Sequence, residues 1–417
     1  MGGNAFNLLH PNAKFPRIQP VVYNQLKENY HEILLGLYYN VATPHEAPEK
    51  LDHGDIDFIV HGPRRPVAHQ DLERAFRSKW CIPPKGIKGT GNFAIPLSLN
   101  PETNNTTEDT YCQVDVHVCE DEADFHRVVF FHSYGDLGMI LGLMARAVGL
   151  SLGPSGLKLA KPLSTHPAIT FFLSSSFEEI MAFFGLSLET WKQGFGSQRE
   201  IFDWVSTSPY FDAGRMVRSD ANNGSRRKVR EVRSMYRNFL VYADGIASKQ
   251  SDGLARQAVD GAVEQTAINF FGKRELYEQL LRVSSAKGRI KAVFSGKLVV
   301  QWTGIEGLPV RWLMDEVQRR LGGDGAASMH GPSTVTDSRA NTSIDSAPPH
   351  EVLQYSESCI SSIHLELAPW ERALEKMSPG DVQALVTQVK EEMKDKGLLE
   401  CDWRAAKGLR EERKVPG

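Results

Sequence analysis

Long apolar runs are missing from this 417-residue chain. No stretch approaches the roughly 20 residues that span a bilayer, so no membrane segment is expected. An excess of one charge is missing too. A net charge of −3 supplies no global field toward nucleic acid or membrane, so any basic surface has to be local. The five cysteines (Cys81, Cys112, Cys119, Cys359, Cys401) are odd in number and include no Cys-x-x-Cys pair. With no secretory leader visible, this pattern predicts a reducing intracellular compartment, cytoplasmic or nuclear, and argues against a structural zinc site. The opening Met1-Gly2-Gly3-Asn4-Ala5-Phe6 has the glycine of a myristoylation signal but no hydroxyl residue at position 6, so lipidation is not expected. No serine or cysteine nucleophile constellation and no Walker-type phosphate loop is present.

What is present is a soluble-type composition, 41% hydrophobic and 24% charged, in a chain too long for one ordinary core. Its most informative stretch is Gly54-Asp55-Ile56-Asp57-Phe58-Ile59-Val60. On a strand, alternate side chains share a face, so Asp55 and Asp57 project together while Ile56, Phe58 and Val60 face a core. Adjacent carboxylates repel unless a cation lies between them, and a hard divalent ion with oxygen ligands answers that need. Gln113-Val114-Asp115-Val116-His117-Val118 adds a third carboxylate on a second apolar strand. Asp-x-Asp beside a lone Asp predicts a two-metal phosphoryl-transfer site, with Mg²⁺ as the ion. A solvated strand face beside a Gly-Asp turn is the plainer alternative.

Helical spacing through Leu26, Tyr30, Ile33, Leu34 and Leu37 predicts a helix from Tyr23 to Tyr39. A second is expected from Gln70 to Trp80, then a strand from Asn92 to Leu99 and a polar turn over Pro101–Asp109. This alternation predicts an α/β (α+β) domain over residues 1–165. Beyond it, helices are expected from Ser176 to a cap at Gly185, over Gln198–Val205, Arg226–Tyr242 and Leu308–Leu321, and as one or two helices over Gln257–Val283. These make a mostly α-helical domain over 166–321. Residues 322–350, crowded with small and polar types, predict a disordered linker. Residues 351–417 form a helical C-terminal tail, with a helix opening at Ser378-Pro379-Gly380-Asp381.

Gly-Asp-Ile-Asp-Phe followed by Gln-Val-Asp-Val resembles the nucleotidyltransferase superfamily that shares the DNA polymerase beta palm. The amino-terminal Met1–Phe6, Pro16-Arg17-Ile18 and Lys88-Gly89-Thr90-Gly91-Asn92 are similar to a little-described phage and prokaryotic branch of it. The resemblance covers roughly residues 1–160. It implies a nucleotidyltransferase-like palm that moves a nucleotidyl group from a nucleoside triphosphate to an acceptor hydroxyl, with RNA as one acceptor class. Asp55 and Asp57 would bind two Mg²⁺ ions, and Asp115 the ion that activates the acceptor. Gly54, Thr43, Lys88 and Arg230 are the nucleotide-binding candidates. One departure stands out. Where the superfamily carries a Gly-Ser pair before the first aspartate, this chain reads Val41-Ala42-Thr43-Pro44. Thr43 offers a hydroxyl, but the glycine freedom that lets amides approach a phosphate is gone. Gly2-Gly3 is an alternative phosphate contact. An inactive palm serving as a nucleotide- or RNA-binding module, and a metal-dependent phosphodiesterase, stay open as alternatives. Phe294–Val300, Gly304, Gly307–Val310 and Leu313-Met314 are similar to the helical region after the palm in tRNA nucleotidyltransferases and poly(A) polymerases.

Arg226, Arg230, Arg233 and Arg237, spaced four, three and four, form a basic stripe along one helix face, with Val229, Val232, Tyr236 and Leu240 inward. The stripe suits a triphosphate or an RNA backbone, and a solvated helix face is the plainer reading. His117 shares the Asp115 face but stays outside the metal set, and Cys112 and Cys119 read as small apolar residues.

Overall fold

The computed structural model describes residues 3–84, 89–97, 110–165, 168–221, 232–250, 261–323 and 366–399. The chain divides into two compact units: Met1–Lys161 with Phe171–Lys273, and Pro162–Thr170 with Arg274–Gly417.

The first unit opens with α1 (Pro20–Leu35), whose proline sits in the first turn, where no amide partner is lost. It ends earlier than the sequence predicts. Tyr38 and Tyr39 lie instead on strand β1 (Tyr38–Ala42), because Gly36 ends the helix and the following Tyr, Tyr and Val are strand formers. Next come β2 (Asp55–Pro63), α2 (His69–Phe76), β3 (Trp80–Ile82), β4 (Gly89–Pro96) and β5 (Tyr111–Val118). Helix α2 stops at Phe76 with Arg77 left-handed, so Trp80, expected to end a helix, starts a strand. The five strands form one mixed sheet in the order β1-β2-β5-β4-β3. β2 and β5 run parallel and the other pairs antiparallel.

One face of the sheet carries Ile56, Phe58, Val60, Phe93, Ile95, Val114 and Val116, buried under Tyr23, Tyr30 and Leu34 of α1 and Leu72 and Phe76 of α2. The alternation that buries these residues turns Asp55, Asp57, Gln113 and Asp115 to the opposite face. There α3 (Glu122–His132) packs Phe125 and Val128 on Ile59 and Cys119. It leaves the Asp57 end of that face open to solvent.

The apolar helix α4 (Leu137–Ala147) is buried along most of its length. An antiparallel three-stranded sheet follows, from β6 (Leu150–Gly153), β7 (Gly156–Leu159) and β8 (Phe172–Ser174). β8 falls in a region whose sequence reads as helical. Helix α5 (Phe177–Phe184) has Ser176 accepting from the Glu179 amide and Gly185 left-handed at its end, as the sequence predicts. The unit continues with α6 (Leu188–Gln193), α7 (Gln198–Ser206), α8 (Ala213–Ala221), α9 (Ser234–Gln250) and α10 (Ala262–Phe270).

The second unit holds α11 (Arg274–Val293), α12 (Gly296–Thr303), α13 (Leu308–Arg320), α14 (Pro369–Glu375) and α15 (Pro379–Asp395). Val382, Val386, Val389 and Met393 recur at spacings of four, three and four on α15 and are buried. They share a core with Ile290, Phe294, Val299, Val310, Leu313, Val317 and Leu374. Ser378 and Asp381 close a reciprocal cap at the start of α15. Residues 324–350 of the expected linker lie outside the described residues. Among the described residues, no single helix is long and apolar enough to cross a membrane.

Candidate metal centre

β2 and β5 are neighbours in register, with Asp57 opposite Asp115 and Asp55 opposite Gln113. Carboxylate oxygens of Asp55, Asp57 and Asp115 all lie within 4.8 Å of one another. The sheet thus gathers the three aspartates singled out from the sequence. Their donor set is all oxygen, which fits a hard divalent cation.

Neutral donors hold two of the three. Asn92, the cross-strand partner of Asp115 on β4, donates through Nδ2 to Asp115 Oδ1 at 2.7 Å. Gln113 Nε2 donates to both oxygens of Asp115 at 2.9 Å. Gln113 is itself buried, and its Oε1 accepts from the Ala5 amide at 3.0 Å. Two residues earlier in the chain, the Gly3 amide donates to Asp55 Oδ2 at 3.1 Å. Only glycine serves there: its φ is +84°, and a Cβ would lie 2.4 Å from the Gly54 carbonyl oxygen. The amino-terminal strap is anchored by Phe6, fully buried and stacked on Phe15 at 5.5 Å.

The electrostatics are those of carboxylates crowded together. The Asp57 carboxyl is held well above the usual range, first because protein atoms crowd out its hydration, then because Asp55 and Asp115 face it. Solvent still reaches it. The Asp115 carboxyl is pushed up to about 6, chiefly by burial; the Asn92 hydrogen bond opposes this, while the Asp55 charge adds to it.

The loop from β1 to β2 brings a second set of groups to the edge of the cluster. Glu46 accepts hydrogen bonds from Lys50 at 2.7 Å and from Tyr23. Burial works against the Glu46 carboxylate, but these two hydrogen bonds together with the Lys50 and His53 charges outweigh it and hold its pKa below the usual range. His53, stacked on Tyr23 at 3.6 Å, is held below the usual imidazole range by burial and then by Lys50. A cavity of about 460 Å³ opens on the same loop, lined by His45, Glu46, Tyr134, Lys192, Gly194 and Phe195 among others. His45 stacks on Tyr134 at 5.0 Å, and the Tyr134 amide donates to the His45 carbonyl at 2.6 Å.

The remaining sequence candidates are placed differently. Gly54 is buried, with Gly3 lying against its carbonyl. Thr43, half-buried, directly follows β1. Lys88 and Arg230 lie outside the described residues, as do Arg226 and Val229. Arg233 is committed elsewhere, paired with the buried Asp136 at 2.6 Å. Val232, expected inward, is exposed, because α9 begins only at Ser234 and its burial runs through Met235, Tyr236 and Phe239. Gln113, Asn92 and the Glu46–Lys50 loop were not singled out as site residues, and the Gly3 amide, expected as a phosphate contact, donates to Asp55 instead. Gln113 was within reach, since it stands two residues before Asp115 and so shares its face.

No family model matches the chain, and no curated protein matches it. Among solved structures, the chain is similar to polymerase beta of Leishmania infantum in a ternary gap complex. The identity is 16% and the TM-score 0.26, over 47% of this chain and 69% of that one. A likeness this slight leaves the activity to be read from the side chains themselves.

Proposed function

We propose that the chain is a Mg²⁺-dependent nucleotidyltransferase, moving a nucleotidyl group from a nucleoside triphosphate to an acceptor hydroxyl, with the five-stranded sheet as its palm. One observation carries this reading: the carboxylates of Asp55, Asp57 and Asp115 converge within 4.8 Å on adjacent strands. Mg²⁺ suits such a donor set because it accepts one or two carboxylates, keeps waters and bridges to substrate phosphates. When bound, it supplies charge neutralisation at the phosphoryl oxygens and acidifies a coordinated hydroxyl.

In this reading Asp55 and Asp57 would hold both ions, and Asp115 the one on the acceptor side. Asn92 and Gln113 fix the Asp115 carboxylate so that it can orient the acceptor hydroxyl and take up its proton. The cavity beside Glu46 has the size of a small-molecule site, and its His45–Tyr134 pair and Lys192 suit a nucleobase and a phosphate.

The test is incubation with Mg²⁺ and each α-labelled nucleoside triphosphate, with and without total RNA. Label on an acceptor with release of pyrophosphate is the expected result. RNA shortening instead would point to a phosphodiesterase, and nucleotide binding without product to a module that does not turn over. Transfer that survives Asp55→Asn with Asp57→Asn would overturn the site assignment.

A further inference from the structure

We propose that His117, Cys119 and Asp124 form a second cation site, built for zinc rather than magnesium. A ring nitrogen, a sulfur and a carboxylate oxygen from these residues lie within 4.8 Å of one another. Cys119 is buried and the other two are half-buried. Nitrogen, sulfur and oxygen donors together are a borderline-soft set, which zinc takes and magnesium does not. The acid triad is the opposite case: it stands roughly 7 Å along β5, at two residues' spacing, and offers oxygen alone.

Each ligand is placed by a different element and held from behind. Thr90, cross-strand partner of His117, has its Oγ1 2.9 Å from His117 Nδ1. With that hydroxyl accepting the Nδ1 proton, Nε2 keeps its lone pair for a metal, the arrangement usual for a ligating histidine. The Cys119 amide donates to the Val60 carbonyl at 2.9 Å and fixes the thiol just past the end of β5. Asp124 stands in the first turn of α3, where its amide donates to the capping Asp121 carboxylate at 2.7 Å. Its own carboxylate accepts from Arg127 at 3.2 Å and from the Glu120 amide at 3.0 Å, as ligating carboxylates commonly do.

Binding exchanges the Cys119 thiol proton, which leaves to solvent, for a sulfur–metal bond. Thiolate and carboxylate then neutralise the divalent ion, and the imidazole stays neutral. Three protein donors leave a fourth position for water. The ion would tie the end of β5 to the start of α3, directly beside the acid triad. The lack of a Cys-x-x-Cys pair does not bear on such a site, because its thiol donor is single.

The test uses the full chain, stripped with chelator and titrated with Co²⁺ and then Zn²⁺, with millimolar Mg²⁺ present to fill the triad. One tightly bound equivalent is expected, with the thiolate-to-cobalt charge-transfer absorption that only a sulfur ligand gives. Cys119→Ser should abolish the band, whereas Asp55→Asn with Asp57→Asn should leave it intact. Thr90→Val, which touches no ligand atom, should weaken Co²⁺ binding about 10- to 100-fold if His117 is oriented as described. Circular dichroism checks that each variant is folded. Absence of the band in the wild-type chain, its survival in Cys119→Ser, or loss of Co²⁺ binding on adding Mg²⁺ would overturn the proposal.

Discussion

Two clusters of carboxylates among the described residues are built on opposite plans. In the first unit Asp55, Asp57 and Asp115 face one another, and the hydrogen bonds they accept come from Asn92, Gln113 and the Gly3 amide, all neutral. In the second, Glu316 on α13 accepts from Arg319 at 2.7 Å and from Arg320 at 3.0 Å, and Arg320 reaches on to Glu392 of α15 at 2.7 Å. The consequence is read in the protons. Asp115 is pushed up to about 6, and Glu316 is pulled down to about 2, first by its Arg319 hydrogen bond. A carboxylate matched with guanidinium is a structural tie. Carboxylates matched only with each other store repulsion that a cation relieves, which is the physical mark of a binding site.

The largest expected difference between the clusters is in turnover. Asp115→Asn should reduce nucleotidyl transfer to the no-enzyme background, because in the proposed reaction it would remove both a metal ligand and the group that orients the acceptor. Glu316→Gln should leave transfer within about twofold of wild type, since it adds and removes no group of the triad. Initial rates with a labelled triphosphate measure both. Equal losses in the two variants would mean that the triad is only another structural cluster.

A smaller effect is expected one step back from the ligands. Gln113→Leu removes the donor to both Asp115 oxygens and strands the Ala5 amide. Gly3→Ala forces a Cβ into the Gly54 carbonyl and moves the amide that binds Asp55. Each should lower Mg²⁺ affinity or turnover about 10- to 100-fold, the usual cost of losing an outer partner of a metal ligand. Isothermal titration with Mg²⁺ alone separates the affinity loss from any fall in kcat.

These supports also mark where sequence reasoning reached its limit. Period-two alternation was enough to place Asp55, Asp57 and Asp115 on one face, since Ile56, Phe58, Val114 and Val116 leave no other way to bury the strands. The caps at Ser176, Gly185 and Ser378 were equally plain, because capping is local chemistry. What stayed hidden depends on contacts distant in sequence. Gly3 reaches Asp55 across 52 positions, and Ala5 reaches Gln113 across 108. Arg233 looked free for phosphate until the fold set Asp136 beside it, 97 positions away. Tyr38 and Trp80 were read as helical because helix and strand periods cannot be told apart over the few residues at an element's end.

The next effect is on stability, and its sign is the reverse of the effect on activity. The folded Asp115 pKa lies above its unfolded value, so the folded chain holds the proton more tightly. The charged form therefore costs stability at pH 7.5, and the cost fades as the pH falls through about 6 and below about 4, both states being protonated near pH 3. In chelator at pH 7.5, Asp115→Asn should raise stability by about 1 kcal/mol after allowance for solvent screening, or about 2–4 °C in Tm. At pH 4 most of the gain should be gone. Adding Mg²⁺ should stabilise the wild-type chain more than the variant, because a ligand lifts only the state that binds it. A wild-type chain indifferent to Mg²⁺ in melting would contradict the site.

The smallest effect, with the opposite pH sign, belongs to the paired cluster. The folded Glu316 pKa is depressed below its unfolded value. Its ion pairs therefore contribute fully above the unfolded pKa, about 4.3, and are lost as the pH falls from there toward about 2. Glu316→Gln should cost the second unit about 1 kcal/mol at pH 7, the upper end for pairs as solvent-accessible as those with Arg319. The cost should disappear near pH 2, whereas most of the Asp115→Asn gain is already gone at pH 4. Urea melts of wild type and Glu316→Gln at pH 7 and pH 2.5, followed by a probe on Trp312 or Trp370 in that core, measure the difference. A loss that persisted undiminished at pH 2.5 would show that Glu316 acts through packing rather than charge, and the contrast between the two clusters would then rest on Asp115 alone.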